Sequence, residues 1–153
     1  MIDRVSFSGT TYNELPWKFE AGTPNIAGTI GFATALDYLE SIDFDAATAH
    51  EHQVHQHLTE AMLSRNKVDV LGYPKHWTSV CSFNVKGAHP TDVGTLLDQL
   101  GFAVRTGHHC AMPTMEHFGL PGTARASVAF YNSVDEVDRF LEALDRVIGM
   151  LTD

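Results

Sequence analysis

The run that most constrains this chain is its last one, "SVDEVDRFLEALDRVIGML". Ser133 and Glu136 stand three apart at its head, the spacing of a capping box that satisfies two free amides at a helix N-terminus. Val137, Phe140, Leu141, Leu144, Ile148 and Leu151 then return at helical period on one face. An apolar stripe of that length needs a second layer to bury it. The run "SVCSFNVKG" supplies one: its strict alternation puts Cys81, Phe83 and Val85 on one side of a strand.

Other elements fall around these two. Asp45 to Arg65 reads as a helix, with Val54, Leu58, Ala61 and Met62 at helical spacing. "HPTDVGTLLDQLG" reads as a short helix with Pro90 at its start and Gly101 past its end. "FAVRT" and "ARASVAFYN" read as strands. The order predicts an α/β domain of two layers, a small mixed sheet covered by helices. Ahead of it, residues 1 to 22 hold one strand-like piece around Val5 and Phe7 and then an irregular run. In "GTPNIAGTIGFATALDYLESI", Thr23 is a candidate N-cap with Pro24 at the first helical position. Ile26, Ile30, Ala33 and Leu36 to Leu39 make that helix's stripe, ending near Ile42. This first part reads as the tail of a different unit.

Composition narrows function more than fold. The 153 residues are 44% apolar and carry a formal net charge of -9. A nucleic-acid face needs a basic excess, and this chain has the opposite. No run is long and apolar enough to span a membrane. The opening residues lack a signal-peptide pattern, and Cys81 and Cys110 form no CxxC, so a cytoplasmic, reducing setting is expected.

The chemistry gathers in "RTGHHCAMPTMEHFGLPGTARASVAFYN". Cys110 follows His108 and His109 and precedes a short helical turn, Ala111 to Phe118, closed by Gly119. Cations and helix N-terminal amides favour a thiolate, so this setting suits a reactive cysteine; a plain exposed thiol is the other reading. Cys81, on an apolar strand face, reads as a small buried hydrophobe. Arg105 and Arg125 flank the segment. Their planar forks match a carboxylate or phosphate, or serve as surface ion pairs. In "AHEHQVHQHL" the histidines divide, with His52 and His55 on one helix face and His50 and His57 on another, which does not make a metal site. His108, His109 and Cys110 are too close in sequence to converge on one tetrahedral ion. No metal is expected. The helix start at "AGTPN" has amides and a Thr23 hydroxyl able to meet a phosphate.

Taken together, "TTYNELPWKFEAGTPNIAG", "RTGHHCAMP", "GTARASVAFYN" and "DEVDRFLEAL" resemble the C-terminal portion of the Suf-type cysteine desulfurases, pyridoxal-phosphate enzymes of the class V aminotransferase fold. The resemblance runs from about Val5 to the final helix. It implies removal of sulfur from L-cysteine, giving L-alanine and an enzyme persulfide, for iron–sulfur cluster assembly. It implies that Cys110 is the nucleophile, that Arg125 grips the substrate carboxylate, and that Arg105 and His108 line the mouth of the site. Gly22 and Thr23 match a segment that reaches the cofactor phosphate of the partner subunit in a dimer. Residues 1–40 are then a remnant of the large cofactor-binding domain with its connecting helix, and 41–153 the small domain.

The family also holds its pyridoxal as a Schiff base on a lysine that follows a histidine. Lys18, Lys67, Lys75 and Lys86 lack that context, and "PKHW" reverses it. The chain alone is therefore expected to bind no cofactor covalently and to show no turnover. Its partners would be an upstream half or a second copy, and a sulfur-acceptor protein of the Suf system. Two other readings stay open: a non-catalytic module that docks such an acceptor, and part of a selenocysteine lyase.

Overall fold

A computed structural model of the chain describes residues 1–72 and 78–152, and divides it into two compact units, Met1–Asp43 and Phe44–Asp153. In the first unit, strands β1 (Ile2–Ser6) and β2 (Gly9–Tyr12) pair antiparallel, with Ser6 opposite Gly9 across a tight turn. The sequence led us to expect a single short strand here. The second strand is only four residues long, too short for its alternation to be legible. Helix α1 (Ile26–Glu40) follows, and none of its side chains is buried. Its N-cap is Asn25, not Thr23: the Gly28 N–H donates to Asn25 Oδ1 at 3.0 Å. Pro24 disfavours helical backbone at the residue before it, which leaves Thr23 outside the first turn. A Cβ at Gly28 would collide with the Asn25 side chain, so the glycine makes room for the cap.

The second unit runs α2 (Phe44–Leu63), β3 (Val68–Leu71), β4 (Val80–Val85), α3 (Pro90–Gln99), β5 (Arg105–Gly107), α4 (Met112–Phe118), β6 (Thr123–Ser127) and α5 (Val134–Leu151). The two-layer α/β reading holds, but the sheet is not mixed. Its order is β3-β4-β6-β5, and all three neighbouring pairs are antiparallel. The crossover through α3 brings β5 back in the direction of β4, and β6 lies between the two. Parallel strands are thereby separated, as in a split βαβ unit. Periodicity locates strands but not their neighbours, so the sequence carries no signal for this pairing. β3 was also passed over. The expected "FAVRT" strand contracts to a strand beginning at Arg105, and the expected "ARASVAFYN" strand ends at Ser127. Beyond it the chain turns, and the Ala129 N–H donates to Asn132 Oδ1 at 2.9 Å.

One face of the sheet builds the core. Cys81, Phe83 and Val85 of β4 and Ala124 and Ala126 of β6 are buried with Leu58 and Met62 of α2, Val93 and Leu97 of α3, and Leu144 and Val147 of α5. Alternation then sends Ser82 and Asn84 of β4, and Thr123 and Arg125 of β6, to the opposite face. The reading of Asp45 to Arg65 as a helix holds, and Arg65 grips Asp145 of α5 through Nε and a second guanidinium nitrogen, both at 2.8 Å. The capping box on α5 is complete: the Glu136 N–H donates to Ser133 Oγ, and the Ser133 N–H to Glu136 Oε2, each at 3.2 Å. Ser133→Ala leaves that amide without its cap and is expected to lower stability by about 1 kcal/mol. Urea unfolding followed by circular dichroism measures it.

Candidate active site

The polar face of the sheet carries a cationic row. In register, Arg125 of β6 stands between Ser82 of β4 and Arg105 of β5. Gly107 pairs with Thr123 two residues further along. Paired residues share a face, so both guanidinium-bearing positions lie on the side away from the helices. Arg105 is exposed and Arg125 half-buried. Arg125 Nε is buried and has no hydrogen-bond partner among the described residues. A buried guanidinium N–H in that condition is costly unless a ligand or water completes it.

The loop that leaves β5 carries His108, His109 and Cys110, and its His109 lies within electrostatic reach of Arg125 and Arg105. A Cβ on Gly122 would lie 2.9 Å from the Gly107 carbonyl, so only glycine lets the ends of the two strands approach this closely. His109 and Cys110 both adopt left-handed backbone, with φ of 55° and 57°. Each costs about 1–2 kcal/mol for a residue with a Cβ, so the surroundings must hold the loop. The Cys110 N–H donates to His108 Nδ1 at 3.1 Å, and the Ala111 N–H to the His108 carbonyl at 2.9 Å. His109 Nε2 bonds Thr123 Oγ1 at 2.8 Å. Cys110 itself is exposed and leads into α4, which ends at Gly119 in left-handed conformation, as its sequence implied.

Burial perturbs both His109 and Cys81. Burial, then the Arg125 charge, push the His109 imidazole below its usual range; contact with the Thr123 backbone opposes this, while Arg105 and His108 add to it. Near neutral pH His109 is therefore an uncharged ring with one donor and one acceptor nitrogen. Cys81 is 1% exposed, and burial raises its thiol to about 11 despite a hydrogen bond with Thr59. It remains a protonated, inaccessible thiol, the structural cysteine that its strand implied.

Three of the four histidines of α2 are spent on structural contacts. His50 Nε2 meets the Asn132 carbonyl at 2.8 Å, and His57 Nε2 meets Asp138 Oδ1 at 2.6 Å, both at the N-terminal part of α5. His55 is buried beside the start of β4, bonded to the Val80 backbone. Among the described residues no three histidine, cysteine or acidic side chains converge as a metal site. No helix among them is long and apolar enough to cross a membrane.

Pyridoxal phosphate needs a lysine for covalent attachment, and the described lysines do not fit that use. Lys67 Nζ donates to the carbonyl and hydroxyl of Thr152, and Lys86 Nζ to the Asn66 carbonyl with Asp69 at 3.2 Å. Both lie at the β3 side of the unit, with β4 and β6 between them and β5. Lys18 belongs to the first unit, where it sits over the Phe19 ring. Lys75 lies outside the described residues. Gly22 and Thr23 also belong to the first unit, in the loop before α1, and Gly22 has a φ of 76°. In the second unit Arg105 pairs with Arg125, His108 bonds the Cys110 amide, and His109 between them feels the charges of both arginines. Sequence reasoning missed Thr123, whose signal was its place two residues before Arg125 on an alternating strand.

The family model for aminotransferase class-V matches residues 1–140, and the chain belongs to that family. It is similar to a probable cysteine desulfurase of Vibrio cholerae, 48% identical over 99% of this chain and 37% of the relative. A cysteine desulfurase of Dickeya dadantii is 44% identical over 99% of the chain and 37% of its own length. Among solved structures, the cysteine desulfurase CsdA of Escherichia coli, in an S-sulfonic acid form, superposes with a TM-score of 0.87 at 37% identity, over 99% of this chain and 38% of that one. The chain therefore spans a little over a third of the length of the relatives it matches.

Proposed function

We propose that this chain provides the sulfur-accepting part of a Suf-type cysteine desulfurase, the cysteine loop and carboxylate clamp of an enzyme that takes sulfur from L-cysteine for iron–sulfur cluster assembly. The observation that carries the reading is the unpartnered, buried Nε of Arg125 beside a loop that presents an exposed thiol. A substrate carboxylate supplies the acceptor that this N–H lacks, and a guanidinium fork holds it bidentately. Arg105, at the exposed end of the row, adds positive charge beside the site of the substrate carboxylate. The Cys110 thiolate attacks the substrate sulfur, so that the S–S bond of a persulfide forms as the substrate Cβ–S bond breaks. Cβ keeps the electron pair, to be protonated and leave as L-alanine; the exposure of Cys110 leaves the outer sulfur open to a cytoplasmic acceptor protein. His108 holds the Cys110 amide and so orients the loop.

In this reading pyridoxal phosphate is the cofactor of the whole enzyme and supplies the electron sink that loosens the carbon–sulfur bond. The described lysines of this chain do not anchor it. Gly22 and Thr23 are assigned to its phosphate across a dimer, through the amides and hydroxyl of their turn. Residues 1–40 belong with the cofactor-binding domain and 41–153 with the small domain.

The clamp is tested in the chain joined to the portion of the Vibrio cholerae relative that the match leaves uncovered. Arg125→Gln removes the charge and the fork, and is expected to raise KM for L-cysteine by about 10- to 100-fold, the worth of a charge-assisted pair. An unchanged KM assigns the carboxylate to another residue.

A further inference from the structure

Of the three polar anchors of the cysteine loop, two are local. The Cys110 and Ala111 amides both close back on His108, within the loop itself. The third, from His109, crosses to β6, where Nε2 meets Thr123 Oγ1 at 2.8 Å and the ring also contacts the Thr123 backbone. Thr123 is 1% exposed, a fixed point in the sheet. It stands two residues from Arg125 on the same strand, so the two side chains share a face. The residue that makes this tether is itself in left-handed backbone and is followed directly by Cys110 in the same conformation. A loop with two such residues in succession keeps its shape only when something outside it holds it.

From this geometry we infer that His109 is a positioning residue: through Thr123 it registers the Cys110 thiol against the Arg125–Arg105 row, fixing the distance between sulfur acceptor and carboxylate clamp. The inference rests on the functional reading above for its meaning, but its geometry stands apart from it. An uncharged imidazole serves the task in either tautomer, its Nε2 donating to the hydroxyl or accepting from it. The Arg125 and Arg105 charges and burial keep it so. His109 needs no contact with substrate for this role.

The tether has a readout that needs no turnover. On this inference a thiol kept near two guanidinium groups meets anionic iodoacetate at a raised local concentration, whereas neutral iodoacetamide is not steered. The ratio of the two alkylation rates at Cys110, resolved by peptide mass spectrometry on the full chain at low ionic strength, measures how close the sulfur is kept to the row. Arg125→Gln calibrates it by lowering the ratio. His109→Ala and Thr123→Val are expected to lower it by about threefold or more, since either releases the loop from β6. Thr123→Ser, which keeps the hydroxyl, is expected to retain the wild-type ratio. Thr123→Val changes little in volume, so it reports on the bond even if the histidine variant folds poorly. A wild-type ratio in Thr123→Val, or equal ratios in the valine and serine variants, overturns the tether. Loss of the ratio in Thr123→Val, with no sulfur uptake from L-cysteine by the wild-type chain joined to the unmatched portion of the Vibrio cholerae relative, would leave the tether standing and refute the functional reading.

Discussion

Cys110→Ser, in the chain joined to the unmatched portion of the Vibrio cholerae relative, is expected to reduce sulfur release from L-cysteine by about a thousandfold or more, the scale of losing a nucleophile. The expectation follows from what the substitution keeps as well as what it removes. Serine fits the same exposed position, and the amide that donates to His108 Nδ1 is backbone, so the loop retains its local bonds. The Arg125–Arg105 row is untouched, so KM for L-cysteine stays near its wild-type value while kcat collapses. A hydroxyl does not take up a sulfur atom from a thiol at neutral pH; it lacks the low-pKa anion that makes sulfur the nucleophile. Cys81 offers no substitute, because its thiol is buried and raised to about 11. Alanine and sulfide release measured over a range of L-cysteine concentrations separates the two parameters. Retained kcat in the serine variant removes Cys110 from the chemistry.

The largest stability effect is expected at Phe83. It is fully buried at the centre of β4, and its ring meets Phe140 of α5 edge-on at 6.4 Å and 77°. Phe140 in turn packs on Phe102 at 5.8 Å and 68°. This stack joins the sheet to the closing helix, and Leu58 and Leu97 in the same cluster are 1% and 0% exposed. Phe83→Ala removes the ring from a cluster that cannot collapse into the space, which costs about 3–5 kcal/mol. Against a total stability of about 5–15 kcal/mol for an ordinary domain, that is a large share. Urea unfolding followed by fluorescence and circular dichroism should show a much lower midpoint. A shift no larger than that of Ser133→Ala would mean the stack does not join the layers as described.

These two residues were legible in the sequence for different reasons. Phe83 sits in a strand whose burial alternates without a break, so periodicity alone put it in the core. The closing helix was equally plain, since both its cap and its stripe are local patterns. Cys110, Arg105, Arg125 and His108 stand out by type and spacing; Arg105 and Arg125 pair in register on β5 and β6, and His108 and Cys110 follow in the loop after β5. What escaped was non-local. The β3-β4-β6-β5 order depends on where the α3 crossover lands, and no period in the sequence encodes that. The His109–Thr123 bond joins residues fourteen apart across a strand pair whose existence had first to be known. Thr23 lost the cap of α1 to Asn25, two residues on, because Pro24 shifts the helix start; local rules locate such ends only to within a residue or two.

The sulfur atom itself gives the most direct test of the account. The joined enzyme is incubated with isotopically labelled L-cysteine and pyridoxal phosphate, digested under non-reducing conditions, and its cysteine peptides are weighed. The account predicts one labelled sulfur on the peptide that contains Cys110 and none on the peptide that contains Cys81. Label on any other cysteine, with Cys110 unmodified during turnover, would contradict it.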